Sequence, residues 1–97
     1  MSWRTEISES VRDTLNALRA HDPLSRRGWL RAYNSVHLEL PRQIRRFRDK
    51  RYPHDPEFIV YCVGFWDRGV WHRFDFLVND SVQRGLLLVE DVDHEPE

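Results

Sequence analysis

The chain has a single cysteine, Cys62, and a single lysine, Lys50. One thiol cannot close an intramolecular disulfide, and no Cys and His group has zinc-finger spacing, so neither a disulfide framework nor a metal staple is expected. A reducing compartment, by default the cytoplasm, is the expected setting. The opening residues MSWRTEISES contain no apolar leader core, and no apolar run approaches the ~18 residues that a membrane span needs. Secretion and membrane insertion are therefore not expected. Internal repeats, low-complexity stretches and motifs that name a reaction or a cofactor are also missing.

What is present is enough apolar and ring material for one core. The 97 residues are 40% hydrophobic and 12% aromatic, with four Trp, which excludes a disordered chain. The expectation is one domain over residues 1–90, followed by an acidic tail, 91–97, with nothing to bury.

Charge is nearly balanced overall but not along the chain. Residues 1–51 hold twelve Arg or Lys against six acids, and residues 52–97 hold three against ten. Two binding surfaces of opposite sign would give this pattern, and so would two halves that neutralise one another in the fold. The near-exclusive use of Arg fits bidentate recognition of phosphate or carboxylate, and it fits GC-rich coding equally well.

Apolar spacing predicts the elements. Trp3, Ile7, Val11, Leu15 and Leu18 form one helical stripe, with Ser2 as N-cap and His21-Asp22-Pro23 as terminator. Asp22 and Pro23 then suit the N-cap and first turn of a second helix carrying Trp29, Tyr33 and Val36. Residues 36–40 also alternate in the manner of a strand. Pro41 either kinks this helix or opens a third through Arg51, with Ile44 and Phe47 inward. Residues 52–56, with two prolines, read as a rigid connector.

The period then changes to two. Phe58–Trp66 reads as a central strand covered on both sides, Trp66-Asp67-Arg68-Gly69 as a type I turn with a bulge, and Val70–Val78 as the returning strand. On that strand Val70, His72, Phe74, Phe76 and Val78 share a core face, opposite Trp71, Arg73, Asp75 and Leu77. Leu86–Val89 reads as a third strand. The fold class expected is α+β: two or three N-terminal helices on one face of a small antiparallel meander of three strands, with room for a fourth.

Three constellations invite function. Arg42, Arg45, Arg46, Arg48, Lys50 and Arg51 crowd ten positions, and on a helix Arg42, Arg45 and Arg46 share a face able to hold several phosphates or carboxylates. Asp49 or the acidic tail could equally neutralise them. His72 and His37 are the candidate acid–base residues for a metal-independent reaction, with Arg45 or Arg46 stabilising a phosphorane. His54 reads as a turn residue and His94 as part of the tail. Trp71 beside Arg73 has the composition of a binding hot spot, while Cys62 reads as buried filler.

Helices before an antiparallel sheet resemble the broad layout of small RelE- and barnase-like ribonucleases, without matching a diagnostic residue. The reading favoured is a small protein-binding module of the immunity, antitoxin or phage-type inhibitor class, with Arg42, Arg45, Arg46, Trp71 and Arg73 as binding residues. Nucleic-acid binding through Arg42–Arg51 and toxin-type ribonuclease activity are the alternatives. No cofactor, metal or membrane is expected, and homodimerisation stays open.

Overall fold

A computed structural model describes residues 2–21 and 23–96. The fold is α+β, with a five-stranded mixed sheet in the order β1-β5-β4-β3-β2. The strands are β1 (Arg4–Ile7), β2 (Arg51–Tyr52), β3 (Asp55–Asp67), β4 (Val70–Asn79) and β5 (Leu86–Pro96). The helices are α1 (Glu9–Ala20), α2 (Arg26–Asn34) and α3 (Leu40–Phe47). A π-helical turn, Ser35–Glu39, joins α2 and α3 into one continuous rod, so the helical layer is two bodies rather than three.

The first expected helix is corrected at its start. Trp3 to Ile7 fit a spacing of four, but Trp3, Thr5 and Ile7 fit a spacing of two equally well, and the chain takes the second option. Arg4–Ile7 pairs in parallel with Leu86–Val89. Ser8, not Ser2, caps α1, its hydroxyl accepting from the Val11 N–H. The second helix begins at Arg26 with Ser25 as N-cap; Asp22 lies outside the described residues.

Pro41 explains the π turn. Proline has no N–H to give and its ring collides with the carbonyl four residues back. The chain widens by one residue, and the Leu40 N–H bonds to Ser35 O. The Tyr61 hydroxyl also donates to Ser35 O at 3.3 Å, tying the rod to the sheet. Burial and the Glu39 charge push the Tyr61 phenol up to about 12, so it remains a donor at physiological pH. The rod stays helical through residues 36–40 and ends at Phe47. Beyond it Arg51 and Tyr52 pair with β3, which makes the proline-rich connector a tight hairpin.

All helices pack on one face of the sheet. Val11, Leu15, Ala32, Val36, Leu40 and Ile44 meet Ile59, Tyr61, Phe65, Phe74, Phe76 and Val78, all nearly or fully buried. Each buried Val, Leu, Ile or Phe among them contributes about 1.5–3 kcal/mol by leaving water. The expected core face of β4 holds for His72, Phe74, Phe76 and Val78. β3 departs from expectation: it is one strand from the edge and covered on one side only, so Cys62 is exposed rather than buried. The acidic tail is likewise corrected. Asp91–Pro96 continue β5 and pair with β4, with Val92 turned into the core.

The β3–β4 hairpin closes through Arg68 and Gly69, with φ of 52° and 78°. Two consecutive left-handed residues between paired Asp67 and Val70 make a type I′ turn, in place of the expected type I turn with a bulge. Asp67, at its base, accepts the Ser25 backbone N–H at 2.8 Å and the Ser25 hydroxyl at 2.5 Å. Ser25 in turn accepts from the Gly28 N–H at 3.1 Å. A Cβ on Gly28 would lie 2.8 Å from the Asp67 carboxylate, so only glycine allows this approach. The hairpin is thereby pinned to the N-terminus of the rod, where a negative charge is favoured.

Burial pushes the Asp67 pKa up, but the Ser25 hydrogen bonds and the His72 and Arg68 charges outweigh it and hold the carboxyl below its usual value. A depressed carboxylate pKa adds stability that is complete above the unfolded value and lost as pH falls through the folded one. We expect Asp67→Asn to lose about 1–3 kcal/mol in urea unfolding at neutral pH. The gap to wild type should close as pH drops below about 4. A gap that persists unchanged at pH 3 would contradict this.

Candidate functional site

Strand alternation decides what the uncovered face of the sheet displays. β3 presents Val60, Cys62, Gly64 and Trp66, β4 presents Trp71, Arg73, Asp75 and Leu77, and β5 presents Asp91, Asp93 and Glu95. Trp66 stands opposite Trp71, and the indoles meet edge to face with centroids 5.3 Å apart. Trp66 is 68% exposed, the most exposed large apolar side chain described. Trp71 is half-buried because it lies across Gly64, where a Cβ would overlap the indole. Glycine inside a strand here marks a close approach by a ring.

Beside the indoles the face turns acidic. Arg73 pairs with Asp75 at 3.2 Å and stands opposite Glu95, Asp75 stands opposite Asp93, and Leu77 opposite Asp91. The Cys62 thiol is pushed up by burial and by Asp75, against a weaker opposing pull from Arg73, and so stays protonated. Of the expected pair, Trp71 and Arg73 both lie on this face. Trp66, Gly64 and the β5 acids complete it and were not singled out from sequence. A tryptophan two residues after a strand glycine, and so on the same face, was the available signal.

The basic residues form a separate surface on the helical layer. Asp80, whose side chain is only 3% exposed, receives Arg51 through two hydrogen bonds of 3.0 and 3.2 Å and Arg48 at 3.5 Å. The Arg51 hydrogen bond, against a smaller opposing push from burial, holds Asp80 below the usual carboxylate range. The ion-pairing group is thus a loop aspartate and not one of the C-terminal acids, while Asp49 adds a longer-range attraction on Arg51. Arg42, Arg45 and Arg46 are exposed and, among the described residues, have no carboxylate within ion-pair distance. Arg42, Arg45 and Arg48 line a cavity of about 290 Å³ with Trp3, Pro41 and Ile44. Arg46 is not part of it.

Neither candidate acid–base histidine is joined to those arginines. His72 is 1% exposed, and its Nδ1 lies 2.9 Å from His94 Nε2. A histidine so enclosed cannot serve as the base for an external substrate, which corrects the catalytic assignment of His72. His94, expected in a free tail, instead packs on Phe74 inside β5. Burial first, and the His72 charge second, lower its pKa. His37 is half-buried in the π turn, stacked on Tyr33 at 5.6 Å. It lines a different cavity of about 260 Å³ with Thr5, Glu6, Ile7, Arg12 and Tyr33. Among the described residues no group of three or more His, Cys, Asp or Glu could hold a metal ion, and no helix is long and apolar enough to cross a membrane.

Compared with family models, curated proteins and solved structures, the chain matches none of them. Two surfaces of opposite sign therefore stand on geometry alone: an acidic sheet face with two indoles at its hairpin end, and a basic groove beside α3.

The seat of Trp71 is testable. Gly64→Ala should force the indole off the sheet, costing about 1–3 kcal/mol and altering the near-UV circular dichroism of the Trp66–Trp71 pair. An unchanged spectrum and stability would show that the ring does not depend on that approach.

Proposed function

We propose that this protein is a binding module whose open sheet face docks a partner protein presenting a basic surface with an apolar anchor. It would act by occupying that surface, in the manner of an immunity protein, antitoxin or phage-type inhibitor. The observation that carries this reading is the exposure of Trp66 beside a preorganised Trp71. A large ring left in water on a rigid sheet contributes little to folding, whereas tryptophan at the centre of an interface dominates binding energy.

Charge selects the partner. Glu95, Asp93 and Asp91 run along β5 away from the indoles, Glu95 nearest, with only Arg73 of opposite sign on the outer face of β4 and β5. A basic partner gains steering and register from this arrangement, while a second copy stacked face to face would bring like charges together. The ribonuclease alternative loses His72 to the core and finds His37 apart from Arg45 and Arg46.

The test is affinity capture followed by calorimetry on the purified partner. Trp66→Ala should weaken binding by about tenfold or more. Asp93→Asn with Glu95→Gln should slow association and flatten its salt dependence. A captured protein that binds wild type and Trp66→Ala equally would refute the docking face. So would sedimentation showing a dimer that Trp66→Ala dissolves, since the occupant would then be a second copy.

A further inference from the structure

The cavity beside α3 is unrelated to the sheet face and has a chemistry of its own. Its walls divide into a flat side and a charged side. Trp3 offers an indole, and the Arg48 guanidinium lies 5.8 Å from its ring centroid. Arg48 is braced there by Asp80 at 3.5 Å. Pro41 and Ile44 provide the apolar floor. Arg42 and Arg45, one helical turn apart on the same face, complete the lining with no carboxylate to answer them among the described residues.

Like charges one turn apart repel, and the C-terminal end of a helix offsets only part of this. The pair is best satisfied by an anion that accepts several hydrogen bonds at once, which two guanidinium forks supply to a phosphate. The volume, about 290 Å³, lies at the small end of ligand pockets, which run from roughly 300 Å³ upward. We propose that this cavity binds a nucleotide, with the phosphate held by Arg42 and Arg45 and the base stacked on the outer face of the Arg48 guanidinium, which the Trp3 ring backs. Indole and guanidinium surfaces are the usual stacking platforms for bases.

The source of the nucleotide is open to the same chemistry: a free nucleoside monophosphate, or the phosphorylated end of an RNA strand. The neighbouring cavity bears on this. Thr5 follows Trp3 on the same face of the edge strand, about 7 Å further along, and lines the cavity that holds His37 and Arg12. Its Oγ1 is buried without a hydrogen-bond partner. A strand leaving the first cavity along β1 would meet the exposed Arg12 next, with this enclosed hydroxyl behind the cavity wall. The π turn places His37, and the end of α2 places Tyr33, along that path, and such turns recur at functional sites.

Calorimetric titration of the full chain separates these outcomes. The probes are adenosine monophosphate, adenosine, inorganic phosphate and a 5′-phosphorylated RNA tetranucleotide. The monophosphate should bind at least about tenfold tighter than adenosine or phosphate alone. Arg42→Gln and Arg45→Gln should each weaken it by about tenfold, while Arg26→Gln, a charge-matched change elsewhere on the rod, leaves it unchanged. Trp3→Phe should retain binding and Trp3→Leu lose it, with circular dichroism confirming that both fold. If the tetranucleotide binds tighter and the excess disappears in Arg12→Gln, the source is a strand; if the two bind equally, it is the free nucleotide. Failure of both ligands to bind at millimolar concentration would overturn the proposal. Equal losses from Arg26→Gln and Arg45→Gln would also overturn it, because attraction would then reflect net charge alone.

Discussion

One-sided coverage of the sheet is the constraint on which the rest of the molecule depends. Two helical bodies can cover one face of five strands, and every strand must then sort its residues by parity. Phe74, Phe76, Val78, Ile59 and Tyr61 turn inward, and their neighbours are committed to the outside. Trp66 and Trp71 lie outside because Phe65, His72 and Phe74 lie inside. A register shift of one residue would invert this assignment, so the hairpin register and the position of the indoles are a single fact. Asp67 and Ser25 enforce it by fastening the hairpin end to the start of the rod.

Coverage also separates charge by layer. The arginines of residues 26–51 belong to the helical side, and the acids of β5 to the opposite face. Among the described residues no β5 acid pairs with these arginines; the loop aspartate Asp80 takes Arg51 and Arg48 and leaves Arg42, Arg45 and Arg46 without a partner carboxylate. Of the two explanations that the sequence left open, mutual neutralisation accounts for a part and oppositely charged surfaces for the larger part.

How far the fold was legible follows from where periodicity is unambiguous. The β3–β4 hairpin and the core face of β4 were readable because alternation runs for ten residues between turn signals. β1 was not, because Trp3 and Ile7 satisfy spacings of both two and four, and only pairing with distant Leu86–Val89 chooses between them. The C-terminal acids look like a tail in isolation, yet Val92 and His94 face inward once β4 supplies the pairing. Pro41 was readable as a disturbance, but the Tyr61 hydroxyl that ties the π turn to the sheet comes from a distant strand. At the candidate sites, the arginine run and Trp71 stand out in the sequence. Trp3 and Asp80 join the basic groove only through long-range packing, and they turn a charged helix face into a cavity.

Nuclear magnetic resonance mapping with a lysine-rich peptide tests most directly whether the two faces are separate and opposite in sign. The expected result is that shifts are confined to Asp91, Asp93, Glu95 and the Trp66 and Trp71 indoles, with Arg42, Arg45 and Trp3 unmoved. Shifts spread over both surfaces, or centred on the helical rod, would contradict it.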